Sequence, residues 1–374
     1  MSILGTVGAA VKLGLGLHHL QIAGEYIYSY LPSLSGTRSI CQAPRTFTTI
    51  MKEIKTIGTH DGTFHCDEVL GCAMLRILFP DAQIRRSRKN EVLDACDIVI
   101  DVGGVYDLTT YRFDHHQKGF EVTAGSLLPG KPWNVKLSSA GLVFCHFGKD
   151  IIRCIVDLPD EKNLDRVFDQ VYANFIQEVD GIDNGVPMCC PTTTYSISTN
   201  LSSRVSHLNK SWNQKEFDEE KAFNQAMQLT SEEFIDRVKY YSESWLPALC
   251  IVQSAIDNRF TVDPSGEIIE LSQFCPWKAH YFKLEEELKL SPTVKFVVFF
   301  GEDGSWRVQS VSLDEKSFIL RIPLHKAWQG LRGKDIGVEG AIFVHGTGFI
   351  GGNETREGAI SMARKSLSSH VAQS

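Results

Sequence analysis

The chain has 374 residues, 43% of them hydrophobic and 22% charged, which is enough for two or three domains with ordinary cores. A formal net charge of -7 excludes a protein that wraps nucleic acid by bulk positive charge, but not an enzyme that meets phosphates with metal ions in one cleft. Ten cysteines without a CxxC pair exclude a zinc ribbon or a disulfide scaffold, and no run reaches the roughly 18 to 20 apolar residues of a membrane span.

The first segment, residues 1–50, carries Lys12, Arg38 and Arg45 against the single acid Glu25, and is rich in Ser, Thr, Leu and Gly. That is the composition of a mitochondrial transit segment, or of a weakly helical tail. From Glu53 strands and helices alternate. Ile54 to Gly58 reads as a strand and Asp67 to Phe79 as a helix, with Leu70, Met74, Ile77 and Leu78 at helical spacing. Strands follow at Ala82 to Arg86, at Cys96 to Val102 and at Tyr111 to Phe113. Ser138-Ser139 opens the next helix, its hydroxyls suited to capping. The pattern predicts an α/β fold with a largely parallel sheet covered on both faces over 54–205. A helical connector is expected over 206–290, with a run from Glu232 to Ser244 ending before Pro247. A smaller C-terminal α/β lobe follows over 291–370. Its strands are Val294 to Phe300, Arg307 to Val311 and Ala341 to His345, then a glycine-rich loop from Gly346 to Gly352 and a helix around Arg356 to Ser366.

Chemistry-bearing residues gather where these strands end. His60, His65 and Asp67 lie in one loop after the first strand, Asp101 closes a buried strand, and Asp114-His115-His116 closes the next. Neighbouring strand ends in an open α/β sheet converge on one crevice. Imidazoles and carboxylates brought together there suit divalent metal ions. A carboxylate at a buried strand end is costly unless a cation offsets it, so Asp101 is placed between two ions. Asp114 is suited to orient a histidine, and His116 to contact phosphate or move a proton. A further carboxylate is expected from "EVDGIDNG", with Asp180 favoured over Asp183. Ser138 and Ser139 either hold a phosphate at a helix start or only cap it. His345, Gly351 and Gly352 are taken as a place where a substrate backbone passes closely, with Arg332 and Arg356 as phosphate clamps. "RRSRK" at Arg85 to Lys89 is read as a solvated loop or a basic nucleic-acid or nuclear signal. The adjacent Cys189-Cys190 has no assigned role.

The Asp-His-His triplet, the preceding "IDVGG" and the N-terminal His/Asp loop resemble the ordered motifs of the DHH phosphoesterase superfamily. More closely, "GTHDGTFHCDE", "RFDHHQKGF", "KLSSAGLVFCHFG", "VDPSGEI" and "HGTGFIGGNETREGA" resemble the melanocyte proliferating gene protein family over nearly all of the chain after residue 54. The resemblance implies a DHH-type catalytic lobe and a smaller substrate-binding lobe. It implies a 3′–5′ exonuclease whose partner is the 3′ end of single-stranded RNA, found in mitochondria and the nucleus. His60, Asp67, Asp101 and His115 match the superfamily's metal positions, with Asp180 as the later aspartate. His65 departs from the aspartate many members carry there. Its nitrogen donor tilts the expected pair of ions towards Mn²⁺ over Mg²⁺. Rival readings are a pyrophosphatase or small phosphodiesterase using the same residues, and a non-catalytic metal- or RNA-binding protein. Stacking on Trp306 or Trp328 would favour nucleic acid.

Overall fold

The computed structural model describes residues 53–188 and 195–371. Residues 1–50, read above as a transit segment or a tail, and the Cys189-Cys190 pair lie outside the described residues. The chain builds two five-stranded sheets with helices packed on them.

The first sheet comprises β1 (Thr56–Thr59), β2 (Gln83–Arg86), β3 (Ile98–Ile100), β4 (Tyr106–Asp107) and β5 (Arg112–Phe113), in the order β2-β1-β3-β5-β4. β1 pairs in parallel with β2 and β3, and β3 with β5; only β4 runs antiparallel, against β5. The strands are short, and Ile57, Ile98, Ile100 and Phe113 of the three central ones are fully buried. Helix Cys66–Leu78 packs between helices Ser139–Ile155 and Glu219–Lys239. The chain leaves β1 towards β2 on one side and returns past it to β3 on the other. The direction of winding therefore reverses between β1 and β3, the place where open α/β sheets form their crevice. His60 follows β1 there and Asp101 follows β3.

The second sheet comprises β6 (Ile268–Glu270), β7 (Phe296–Phe300), β8 (Trp306–Ser310), β9 (Ala341–Val344) and β10 (Ile350–Asn353), in the order β6-β7-β8-β10-β9. Only β6 and β7 are parallel. The "GEDGS" turn joins β7 to β8 as a hairpin, pairing Phe300 with Trp306. Strand alternation gives this sheet two cores. Phe296 and Val298 pack with Ala359 and Met362 of helix Arg356–Val371. Val297 and Phe299 pack with Val252 and Tyr281 on the other face.

Two expectations change. The helix read as ending before Pro247 continues: Glu219–Lys239 passes through a π-helical turn, Tyr240–Trp245, into Leu246–Asp257. The wide turn takes up the missing N–H of Pro247. The cores divide at that turn, with Trp245 in the first and Ala248 in the second, so the helical region is shared between the lobes. The glycine-rich loop is in part a strand, because Gly351 and Gly352 belong to β10.

Candidate metal centre

The ends of β1, β3 and β5 bring His60, Asp101 and the 114–116 triplet together, and helix Cys66–Leu78 adds Asp67 and Glu68 from its first turn. Asp101 sits at φ 58°, a left-handed conformation that a short polar side chain tolerates at a cost. Its two oxygens face different neighbours. Oδ2 lies 3.3 Å from His60 Nε2, and Oδ1 lies 3.2 Å from His115 Nε2.

Around these oxygens the donors form two sets. In the first, donor atoms of His60, His65, Glu68 and Asp101 lie within 4.8 Å of one another. Glu68 Oε1 is 3.0 Å from His60 Nε2 and also accepts the His65 backbone N–H, so it ties the loop to the helix. In the second set, Asp67, His115 and Asp183 converge to the same tolerance, and His115 also meets Asp101 and His116. His115 Nε2 lies 3.2 Å from Asp101 Oδ1, 3.2 Å from Asp183 Oδ2 and 3.7 Å from Asp67 Oδ2. None of these approaches has hydrogen-bond geometry, and His115 Nε2 and Asp67 Oδ1 are buried without a hydrogen-bond partner. Acceptors and imidazole nitrogens aimed at a common point and unsatisfied by one another fit cations.

The electrostatics agree. Burial alone would depress the His60 imidazolium, but Asp101 and Glu68 outweigh it and raise its pKa from 6.5 to about 10. His115 is likewise raised against its burial by Asp101 and Asp183. Burial pushes Asp67 well above the carboxylate range, with Asp101 and Asp183 adding repulsion. Asp101 is held below it despite burial, by His115 and His60. Among the described residues no Lys or Arg forms an ion pair with Asp67, Glu68, Asp101 or Asp183. A divalent cation would offset this carboxylate charge and displace protons from the imidazoles.

The structure does not bring Asp180 into this cluster. Its Oδ1 accepts from the backbone N–H (2.9 Å) and hydroxyl (2.7 Å) of Ser138, and its Oδ2 from the Tyr172 hydroxyl at 3.0 Å. It is 0% exposed, and burial raises its pKa to about 7 against those bonds. Asp180 thus ties the Gln177–Asp183 helix to the start of the Ser139–Ile155 helix, and Asp183, one turn later, faces the donors. The choice between the two aspartates is therefore reversed. Sequence spacing placed both near a helix end but did not show which face looked at the site.

Ser138 and Ser139 are both fully buried, which leaves no room for a phosphate. Ser138 caps its helix, while Ser139 donates its hydroxyl to Asp101 at 3.1 Å and its N–H to Asp67 at 3.3 Å. Ser139 thus orients metal-facing carboxylates, whereas Ser138 holds Asp180. Asp114 accepts from the Gly104 N–H at 2.6 Å and from the His116 backbone and Nδ1, the latter at 2.7 Å. It therefore orients His116, not His115. The His116 side chain is 62% exposed at the mouth of the cluster.

The substrate residues expected in the second lobe lie apart. Among the described residues, no hydrogen bond or ion pair joins His345, Gly351, Gly352 or Arg332 to the metal-facing group. His345 is exposed and bonds Thr347, and Arg332 is exposed. Arg356 is engaged with Glu270. A Cβ on Gly352 would meet the Phe343 ring at 2.8 Å, so the space above this glycine is filled by its cross-strand neighbour. Trp328 is buried and Trp306 half-buried. Glu68 went unread in the sequence, although its place one residue after Asp67 was a signal.

The family model MYG1_exonuc, described as Uncharacterised protein family (UPF0160), matches residues 56–367. The chain is 48% identical over 325 residues to "MYG1 exonuclease" of Mus musculus, covering 84% of this chain and 86% of the relative. It belongs to the MYG1 family. The Homo sapiens "MYG1 exonuclease" is 48% identical over 320 residues, 83% of this chain and 85% of the relative. The Dictyostelium discoideum "MYG1 protein" is 44% identical over 322 residues, 83% and 96% of the respective chains. No solved structure gives a significant match. The matched span runs from β1 into the last helix, so the family unit comprises both sheets and the whole cluster.

Proposed function

We propose that this protein is a metal-dependent 3′–5′ RNA exonuclease that hydrolyses phosphodiester bonds at a pair of divalent ions. Relatives named as exonucleases over most of the chain support a nuclease-type hydrolase. The observation that carries the two-ion reading is Asp101, whose oxygens face two separate donor sets. His60, His65, Glu68 and Asp101 would hold one ion, and Asp67, Asp101, His115 and Asp183 the other. Such ions supply Lewis-acid charge at phosphoryl oxygens and acidify water at neutral pH. The mixed imidazole and carboxylate donors favour Mn²⁺ over Mg²⁺.

The chain's own residues do the rest. The αL backbone and the Ser139 hydroxyl hold Asp101 with its two oxygens facing the two donor sets, where it would bridge a pair of ions. Asp114 takes the Nδ1–H of His116, which leaves Nε2 as the free lone pair at the open edge of the cluster. Once it has taken up a proton, this Nε2–H donates to a scissile-phosphate oxygen or passes the proton to the departing oxygen. An acid-poor segment before residue 51 supports a mitochondrial address, and the family resemblance adds the nucleus.

The test is purified full-length protein with Mn²⁺ or Mg²⁺ on end-labelled RNA, DNA, a dinucleotide and pyrophosphate. Stepwise shortening of RNA to mononucleotides, prevented by a blocked 3′ end, is expected. Hydrolysis of pyrophosphate alone, or internal cutting, would refute the proposal.

A further inference from the structure

One segment is built onto the metal loop and carries none of its donor residues. Asn209 clamps both backbone groups of Phe64, accepting its N–H at 3.0 Å and donating to its carbonyl at 2.8 Å. Phe64 directly precedes His65. Ten residues later Glu219 accepts the Gly62 N–H at 2.9 Å and pairs with Arg86. Arg86 in turn donates to the carbonyls of Gly62 and His60. The intervening stretch is therefore pinned at both ends to the loop that carries His60 and His65.

It opens with Lys210-Ser211-Trp212-Asn213-Gln214-Lys215, two cations and two amides without an acid, ahead of Glu216 and Asp218. A turn shapes the tip: Gln214 N–H donates to the Ser211 carbonyl at 3.0 Å. Trp212, inside that turn, is 97% exposed. Tryptophan is among the most buried residues on average, so a large ring held in water on an anchored turn calls for a ligand. Trp212 follows Asn209 by three residues, so it stands within roughly 11 Å of that anchor. Aromatic faces flanked by cations are how proteins grip single strands without reading sequence.

We propose that the Lys210–Lys215 turn is a nucleic-acid contact arm of the metal centre. Trp212 stacks on an unpaired base close to the scissile phosphate, and Lys210 and Lys215 meet neighbouring phosphates. This rests on the nuclease reading above, and gives it a strand-gripping element beside the metals and not in the second lobe.

The test is equilibrium binding of a fluorescein-labelled ten-nucleotide single-stranded RNA with hydrolysis-resistant phosphorothioate linkages, measured by anisotropy on the full chain with Mn²⁺. Trp212→Ala should weaken binding about 5- to 150-fold. Trp212→Phe should restore most of it, while Trp212→Leu, apolar but not planar, should not. Phe318→Ala is the matched control, an exposed aromatic (99%) in the second lobe, and should bind within about twofold of the parent. Equal affinity of Trp212→Ala and parent, equal loss in the Phe318 control, or no saturable binding by the parent overturns the arm. Turnover of ordinary RNA by the parent is scored separately. Binding that follows the pattern without any RNA turnover leaves the arm standing and sinks the nuclease reading; turnover with unaltered Trp212→Ala binding does the reverse.

Discussion

Asp180 and Asp183 lie one helical turn apart and separate two accounts of the centre by a clear margin. Asp180→Asn keeps an oxygen for the Ser138 donors, and its amide can donate to the Tyr172 hydroxyl, which then accepts. It also removes a carboxyl whose pKa burial raises to about 7. The folded protein holds that proton up to about pH 7 while the unfolded chain releases it near pH 4, so the parent loses stability as pH rises between those values. Asp180→Asn should therefore melt at or above the parent temperature at pH 8, bind Mn²⁺ normally and retain turnover. Asp180→Ala is different. It strands the Ser138 N–H, the Ser138 hydroxyl and the Tyr172 hydroxyl in a fully buried place. At about 1–3 kcal/mol for each stranded group, partly recovered by relaxation, the loss is about 4 kcal/mol. With roughly 2–4 °C per kcal/mol for a domain of this size, the melting point should fall by about 10 °C. Asp183→Asn should change stability by less than about 1 kcal/mol, since its carboxylate faces other acids and is 19% exposed. It should nevertheless abolish tight Mn²⁺ binding and turnover. Calorimetric titration with Mn²⁺ and thermal melts on the three variants give the answer. Loss of Mn²⁺ binding in a folded Asp180→Asn, with normal binding in Asp183→Asn, would refute the assignment.

Asp101→Asn and His115→Ala should each reduce hydrolysis below detection with an unchanged circular dichroism spectrum, because each serves the shared region between the donor sets; near-normal turnover in either would remove the centre. In metal-free protein His60 is raised from 6.5 to about 10, so its contribution is fully present below pH 6.5 and is lost as pH rises through about 10. Melting temperature in chelator should decline across that window, and His60→Gln should flatten the decline. Gly352→Ala should destabilise the second lobe by about 1–3 kcal/mol through the Phe343 clash, with activity falling only as folded protein is lost. An unchanged melt with lost RNA cleavage would restore the substrate-path reading of that strand. Residues 1–50 fused to a reporter should direct it to mitochondria; a cytosolic reporter would end the transit reading.

How much was legible depended on whether periodicity or facing decided the matter. β3 announced itself as an apolar run and β1 and β5 as short strand-like stretches, and polar residues directly after such strands stand at the sheet's carboxyl edge. That places His60 and Asp101 at the edge and His115 just beyond it, because a strand end leaves little freedom over where the next side chain points. Asp180 and Asp183 sit on a helix, where three residues turn the side chain by most of a revolution. The hydrophobic pattern shows neither the π-helical turn Tyr172–Ile176 upstream nor which aspartate meets Tyr172 and Ser138 and which faces the donors. Gly141 records the same fact from the other side. A Cβ there would stand 2.2 Å from Asp180 Oδ1, so the glycine and the buried carboxylate require each other. Gly351 and Gly352 misled for a related reason. A glycine pair reads as a loop when nothing local opposes it, whereas here the space above Gly352 is filled by Phe343, which is adjacent in the sheet and nine residues away in the chain. Glu68 combines both lessons. As the third residue of a helix it looked like a favourable first-turn acid. Its orientation onto His60 depends on the loop from His60 to His65 folding back over that helix, and Asn209 and Glu219 hold that loop from more than a hundred residues away. The metal centre is thus local in its ligands and long-range in its precision, so substitutions at Asn209 or Glu219 should loosen metal binding without touching a ligand.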